Sequence, residues 1–321
     1  MPDLSVGGQA VIEGVMMRSK DRVVTAVRVS SGEILVKSEN YVSLTRRNKI
    51  LGLPVIRGVI SFFEMLIIGI RTLNFSADIA VKEMEKAEAD VKGEKYIAKE
   101  RKNSNFILIG AAIFALALGI MVFFFVPLAI SSLFSKGKDA VVFNLVAGAV
   151  RVFLFLIYVW GISLFGEFKR VFQYHGAEHK SIFAYENNAE LTPESVSRFS
   201  TFHPRCGTSF ILIVALFAIL IYSFSDTIYT ISAGDPPTLI RRFLLHFSLL
   251  PLVAGGAYEL LKLSGRTRNN SLTKILIQPG LWLQRITTKE PTSAQMEVAI
   301  VALETALGMT ESRLTVKKTC L

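Results

Sequence analysis

Four long apolar blocks constrain the fold of this chain more than any other feature. They cover residues 106–134, 141–165, 208–224 and 243–263. A helix that crosses a bilayer needs about 20 predominantly apolar residues, which the blocks supply or nearly supply. The whole chain of 321 residues is 51% hydrophobic and 19% charged, which is unlike a soluble domain. The sequence therefore predicts an α-helical polytopic membrane protein with about four transmembrane helices.

The distribution of basic residues predicts the orientation of these helices. The blocks form two pairs, at 105–166 and 207–264, with a polar loop at 167–206 between them. Four crossings place both termini and this loop on the same side. That side is rich in lysine and arginine, whereas the other has only Lys136, Lys138, Arg241 and Arg242. Because basic loops stay inside, we expect both termini and the loop in the cytoplasm.

A fifth apolar block, at 54–80, has a different character. Arg57, Glu64 and Arg71 recur every seven residues, so two helical turns return each to nearly the same face. The uninterrupted apolar length is short for a span. We predict an amphipathic helix that lies in the cytoplasmic interface or packs on the bundle. The alternative is a true span with a polar stripe, which would move the basic N-terminal region across the membrane.

The first 53 residues predict a small antiparallel β element. Apolar and polar residues alternate on both sides of the turn-forming "SSGE", and "GQAVIEGVMMR" is a candidate third strand. Residues 81–104 are highly charged, which predicts an exposed helix or a partly disordered linker.

The tail, at 265–321, predicts a second amphipathic helix. Thr292 and Gln295 fit a capping box, and Gly308 can end the helix. Between them one helical stripe is apolar: Met296, Ile300, Leu303 and Leu307. We interpret the stripe as a docking face. The segments 54–80 and 292–308 are therefore the candidate surfaces for a protein partner.

The polar loop contains the motif "YHGAEHK", which suggests metal chemistry. In a helix over 170–186, His175 and His179 face the same way, with Glu178 beside them. This is the order found in inverted zincins, in which two histidines bind zinc and the glutamate acts as a base. Three ionisable groups on a juxtamembrane helix could also be simply a solvated face.

Two further donors follow in "FHPRCGTSF". His203 and Cys206 would complete a tetrahedral set with the two histidines of the first motif, for zinc or another divalent metal. Four protein ligands usually make a structural site. Catalysis therefore requires that either His203 or Cys206 stands off the metal.

The same segment supplies the other candidate catalytic group, Arg205. We expect Glu178 to act as general base and Arg205 as an oxyanion or phosphate partner. If Cys206 does not bind metal, Arg205 could instead lower its pKa and make it a nucleophile.

Ionisable residues inside the apolar blocks need partners or a function, because charges are costly there. Arg151 and Glu259 either pair with each other or contact a substrate. His246 has no nearby partner in sequence, and we interpret it as a hydrogen-bonding residue of the bundle rather than a ligand.

In combination, "GGQAVIEGVMMR", "YHGAEHK", "FHPRCGTSF" and "TTKEPTSAQMEVAI" resemble the YqhQ-like family of bacterial membrane proteins. Its function is largely unknown, and its members are described as predicted metal-dependent enzymes. The resemblance covers nearly the whole chain. It implies a multi-pass protein of the bacterial inner membrane with a cytoplasmic motif-bearing face. The metal label maps onto His175, Glu178, His179, His203, Arg205 and Cys206.

The N-terminal motif "GGQAVIEGVMMR" could reach this face. Either Glu13 or Arg18 completes the histidine cluster, or the motif only caps the helices with a strand and turns.

These patterns favour a metal-dependent hydrolase at the cytoplasmic membrane face, acting on a lipid, a peptide or a lipid-linked precursor. The alternative is a non-catalytic membrane scaffold or biogenesis factor with a structural zinc. A transporter using Arg151, Glu259 and His246 is a third interpretation. The expected partners are membrane lipids and not nucleic acid.

Overall fold

A computed structural model describes residues 6–93, 105–135, 139–204, 206–266 and 271–309. It contains the strands β1 (Gly7–Val11), β2 (Gly14–Arg18), β3 (Arg22–Arg28) and β4 (Ile34–Asn40). The helices are α1 (Leu44–Arg47), α2 (Ile56–Lys92), α3 (Asn105–Ile120), α4 (Val126–Ser135), α5 (Ala140–Ser163), α6 (Gly166–Glu186), α7 (Pro193–Ser197), α8 (Gly207–Ala233), α9 (Leu239–Ser248), α10 (Leu250–Arg266), α11 (Ser271–Thr287) and α12 (Ser293–Leu307).

The membrane-spanning helices follow the apolar blocks. Three segments are long and apolar enough to cross a bilayer: Gly110–Phe134, Ala140–Ser163 and Ile213–Ala233. The pair α9 and α10, bent by 49° where they meet, passes the same test as one broken span. The protein is thus an α-helical polytopic membrane protein with three to four spans, as the blocks predicted.

The first span is irregular where proline interrupts it. A π-helical turn, Met121–Phe125, joins α3 to α4, whose second residue is Pro127. Proline has no N–H to donate to the carbonyl four residues earlier, which is that of Phe123. The Nε of Arg151 donates to that carbonyl instead, at 3.0 Å. The arginine of α5 therefore compensates for the proline of the neighbouring span.

The N-terminal residues form an antiparallel sheet with the strand order β1-β2-β3-β4. The stretch "GQAVIEGVMMR" is not one strand but a hairpin, in which Val11 pairs with Gly14. Alternate residues point to opposite faces of a strand. Val15 and Met17 accordingly pack with α6 and α12, while Met16 packs with the other cluster, on α2. The sheet is buried on both faces, between these helices.

The predicted amphipathic segment is the first part of a longer helix. α2 continues to Lys92, through about half of the predicted charged linker; the rest of that linker lies outside the described residues. Met65, Ile68 and Phe75 face the sheet. Another row of α2 is apolar and exposed: Phe62, Phe63, Leu66, Ile67, Ile70 and Leu73. α2 is not among the candidate spans, and it packs on α10.

The tail helix has the predicted caps, but its apolar stripe is internal. Thr292 and Gln295 form the capping box, and Gly308 ends α12 in the left-handed conformation. Met296, Ile300 and Leu303 are buried against the sheet and α6. The stripe does dock, but on this chain's own sheet. The interpretation of the apolar stripe of 292–308 as a partner surface was therefore wrong, because the stripe is buried against the apolar face of the sheet.

An ion pair holds α2 to α10. The guanidinium of Arg57 donates two hydrogen bonds to the carboxylate of Glu259, one of them 2.7 Å long. The predicted alternative, an Arg151–Glu259 pair, was wrong, because Glu259 pairs with Arg57 and the Nε of Arg151 donates to the carbonyl of Phe123.

Removing this carboxylate tests how much the pair contributes. Glu259→Gln leaves the guanidinium of Arg57 partly buried without its counter-ion, which we expect to cost about 1–3 kcal/mol. Glu297→Gln removes a more exposed partner, that of Arg28, and should cost less than about 1 kcal/mol. Thermal unfolding of both variants in one detergent measures the difference. Equal midpoints would contradict a structural role for the Arg57–Glu259 pair.

Candidate metal centre

The helix α6 carries the first motif and confirms the helix expected over 170–186. Its residues from Gly176 to Ile182 are all buried, because β1, β2 and α12 pack around it. The four-residue spacing brings the ring centres of His175 and His179 within 4.4 Å. These two side chains are therefore neighbours on one face, as the spacing predicted.

Backbone carbonyls orient both imidazoles. Nδ1 of His175 lies 2.8 Å from the carbonyl oxygen of Thr287, and Nδ1 of His179 lies 2.5 Å from that of Thr201. Only a protonated nitrogen can donate to a carbonyl, so Nδ1 carries the proton in each neutral ring. The Nε2 atoms are then acceptors. In metal sites, a carbonyl that accepts a hydrogen bond from one ring nitrogen orients the other nitrogen towards the ion in the same way.

Burial favours the neutral form of His179. Desolvation is the largest cause that lowers its pKa, and the nearby Cys206 opposes this shift. A neutral imidazole is the form that binds metal.

Cys206 brings a sulfur to the same point. The backbone N–H of Cys206 donates to the carbonyl of His203, which closes a turn immediately before α8. Its Sγ then lies 3.3 Å from Nε2 of His175. Ligand atoms of His175, His179 and Cys206 all lie within 4.8 Å of one another.

These separations suit a tetrahedral metal. Bonds of about 2.0–2.3 Å to nitrogen and sulfur imply ligand atoms roughly 3.5 Å apart. The sulfur–nitrogen distance of 3.3 Å is close to this value. The donor set, two imidazoles and one thiol, is also one that zinc prefers. The three residues present therefore fit a divalent ion such as zinc.

Glu178 lies beside the three donors. Its Oε2 is 3.5 Å from Nε2 of His179 and 3.9 Å from Nε2 of His175. The side chain is buried, and desolvation is the largest cause that raises its pKa. The backbone N–H of Gly8 donates a hydrogen bond to the carboxylate. A Cβ atom on Gly8 would stand 2.7 Å from Cγ of Glu178, so β1 must approach this closely.

His203, the fourth predicted donor, does not belong to this group of three. Gln284 of α11 holds its backbone from both sides, with bonds of 2.7 and 2.9 Å. The ring packs on Phe183, and its Nε2 lies 3.6 Å from a carboxylate oxygen of Glu186. His203 thus sits behind His179, at a ring separation of 5.6 Å.

The other predicted contributors are placed differently or not described. Arg205 lies outside the described residues. Glu13 does not reach the histidines, because it pairs with Arg170 at 2.6 Å. Arg18 points to the far side of the sheet, where its guanidinium lies 4.5 Å from the centre of the Tyr41 ring. The N-terminal motif does contact the site, but through the backbone of Gly8.

The sequence patterns did not predict that the end of α11 and the residues after it belong to the site. Thr287 ends α11; after it, Lys289 donates a backbone hydrogen bond to the carbonyl of Phe172, and Glu290 pairs with the buried Lys180 at 2.6 Å. A Cβ on Gly176 would lie 2.1 Å from the carbonyl oxygen of Lys289. This explains the glycine inside "YHGAEHK". The only hint in the sequence was that "TTKEP" is part of the same set of family motifs as "YHGAEHK".

Comparison with known proteins agrees with the motifs. A family model described as "Protein of unknown function (DUF1385)" matches residues 53–309. The chain is similar to "Uncharacterized protein YqhQ" of Bacillus subtilis (strain 168), with 34% identity over 317 residues, covering 94% of this chain and 92% of the relative. No solved structure matches the chain.

The close approach of β1 to Glu178 gives a test with an adjacent control. Gly8→Ala places a methyl group against Glu178 and against the carbonyl of Met16, and should destabilise the protein by about 1–3 kcal/mol. Gly7→Ala meets nothing within 4 Å and should be nearly neutral. Thermal unfolding of the two variants provides the comparison. Similar midpoints would mean that β1 does not press on the site.

Proposed function

This chain belongs to the DUF1385 family, whose function is unknown. We propose that it is a metal-dependent hydrolase at the cytoplasmic face of the bacterial inner membrane. His175, His179 and Cys206 would hold the ion. Zinc suits this donor set best.

The observation that carries the proposal is a convergence of acceptor atoms. Two Nε2 lone pairs and a carboxylate oxygen face one another at 3.5 and 3.9 Å, with Cys206 Sγ beside them. Lone pairs at this distance in a buried place repel one another, and a metal cation or a proton between them relieves the repulsion. A divalent ion bound by the three donors removes this repulsion.

Three protein donors leave an open coordination position, which catalysis requires. A bound divalent ion would supply Lewis-acid activation of water or of the substrate. Glu178 would take a proton from the activated water, since its Oε2 lies near the Nε2 atoms that would bind the ion. Burial raises the pKa of Glu178, which brings a carboxylate nearer to the range of an effective general base. Arg205 remains our candidate for an oxyanion or phosphate partner.

The surroundings favour a substrate with a lipid part. α6 begins just after the end of the α5 span, and Leu164, Phe165 and Phe168 are exposed at this junction. Lys169 and Arg170 follow them on the exposed side. Apolar and basic side chains together suit a lipid surface with anionic headgroups. A lipid-linked or lipid substrate is therefore favoured over a soluble peptide.

A second candidate is a membrane scaffold with a structural metal. Glu178 lies close enough to both imidazoles to act as a fourth donor, which would close the site. The exposed apolar row of α2, within 54–80, would then be the surface for a protein partner.

Metal content tests the donor set. Purified protein should hold about one zinc or other divalent ion per chain, and His175→Ala or Cys206→Ser should lose most of it. His203→Gln should retain the metal, because His203 lies outside the group of three. Elemental analysis after extensive dialysis measures this. Metal-free wild-type protein, or loss of metal only in His203→Gln, would refute the proposed set.

Glu178→Gln separates the enzyme from the scaffold. Glutamine keeps the shape and the hydrogen bond from Gly8, but it cannot take a proton. In an enzyme, this variant should fold, bind metal and fail to complement a deletion strain, with activity reduced at least ~100-fold. In a scaffold it should complement normally, because the amide oxygen of glutamine can still bind the ion and no proton transfer is needed. The unfolding midpoint of the variant controls for lost stability.

A further inference from the structure

The bundle contains a second cluster of ionisable groups, on α5, α8 and α9. Asp226 of α8 lies 3.0 Å from Nε2 of His246 and 3.0 Å from Nε of Arg242, both on α9. Asn144 of α5 donates to the same carboxylate at 3.0 Å. All four side chains are buried. This confirms that His246 is a hydrogen-bonding residue of the bundle.

The cluster also positions an aromatic hydroxyl. The ring of Tyr222 stacks on that of His246, with 4.1 Å between centres and 4° between planes. Tyr222 is fully buried, yet its Oη has no hydrogen-bond partner among the described residues. Buried hydroxyls nearly always have a partner, so this donor points to a ligand.

Arg151 brings a cation to the same region. Its Nε is fixed by the carbonyl of Phe123, and its guanidinium lies 5.2 Å from the centre of the Phe124 ring. Tyr222 packs on that same ring, at 6.4 Å. The Nη2 of Arg151 is buried and, within the part of the chain that the structure describes, has no hydrogen-bond partner. α5 and α8 run antiparallel, since Asn144 meets Asp226 and Gly148 lies against Ile219. Long side chains lean towards the N-terminus of their own helix, so Arg151 and Tyr222 lean towards each other.

The charges of this region do not balance. Asp226 neutralises one arginine, Arg242, while no described carboxylate pairs with Arg151. The positive charge of Arg151 therefore has no counter-ion among the described residues of the bundle. An isolated charge in a membrane interior is costly, and such groups usually meet a counter-ion or a ligand.

We propose that the bundle holds a binding site for a small, singly charged anion, such as a halide or a short carboxylate. Nη2 of Arg151 and Oη of Tyr222 are its donors. Arg151 lies near the middle of α5, about 17 Å of helix from each end. A lipid headgroup does not reach this depth, so the anion is a free one.

The two irregularities of the bundle support this assignment. The π-helical turn Met121–Phe125 and the bend between α9 and α10 both border the site, because Phe124 contacts Phe243 and Phe247. Single π-turns and broken spans recur at functional sites in helical membrane proteins. The Pro127 interruption also fixes the guanidinium before any anion binds, which reduces the cost of ordering it.

Thermal unfolding of the purified full chain in detergent tests the proposal. Sodium chloride or sodium formate replaces sodium gluconate at constant ionic strength, with gluconate as the large reference anion. We expect the wild-type midpoint to rise saturably by at least about 2 °C. Tyr222→Phe should need about tenfold more chloride or formate, because one hydrogen bond to the anion is lost. In gluconate it should unfold like the wild type, since its hydroxyl has no partner.

Tyr229→Phe is the matched control, because it removes a tyrosine hydroxyl from the same helix. The hydroxyl of Tyr229 is exposed and accepts a hydrogen bond from Arg241. It should keep the wild-type anion dependence. Arg151→Met gives an independent reading and should abolish that dependence. A wild-type unfolding midpoint that does not change with chloride or formate would overturn the proposal. So would an unchanged dependence in Tyr222→Phe or Arg151→Met.

Discussion

The packing around α6 depends on one interaction, in which Nε2 of His175, Nε2 of His179 and the carboxylate of Glu178 lie close together. Two backbone carbonyls, of Thr201 and Thr287, accept hydrogen bonds from the Nδ1–H groups and turn the Nε2 lone pairs inward. Burial then strengthens the repulsion between these lone pairs and Glu178. A cation relieves it. Without a metal, a proton on Glu178 can do so, and burial raises the pKa of that group accordingly.

This constraint also explains why segments distant in sequence meet at α6. The carbonyls that hold the histidines come from the segment before α8 and from the end of α11, while β1 supplies the N–H that holds Glu178. Each contact uses backbone atoms, so the identity of the side chain matters little there. What matters is room for the approaching backbone, which Gly8 and Gly176 provide.

The same distinction decides how much could be predicted from sequence. Local spacing gave the pairing of His175 and His179, the caps of α12 and the spans, because each depends on nearby residues. The exclusion of His203 could not be predicted, since Gln284, 81 residues away, holds its backbone. The ion pair of Glu259 with Arg57 likewise depends on how α2 packs, about which sequence patterns say nothing.

The two clusters have opposite imbalances, and this argues that they have separate roles. Around α6, acceptors outnumber donors and attract a cation. Beside Arg151 and Tyr222, donors and positive charge are in excess and attract an anion. One ligand cannot satisfy both, yet α8 belongs to each: it begins just after Cys206 and carries Tyr222 about 24 Å of helix further on. α8 is therefore one physical connection through which a ligand bound at one cluster can act on the other.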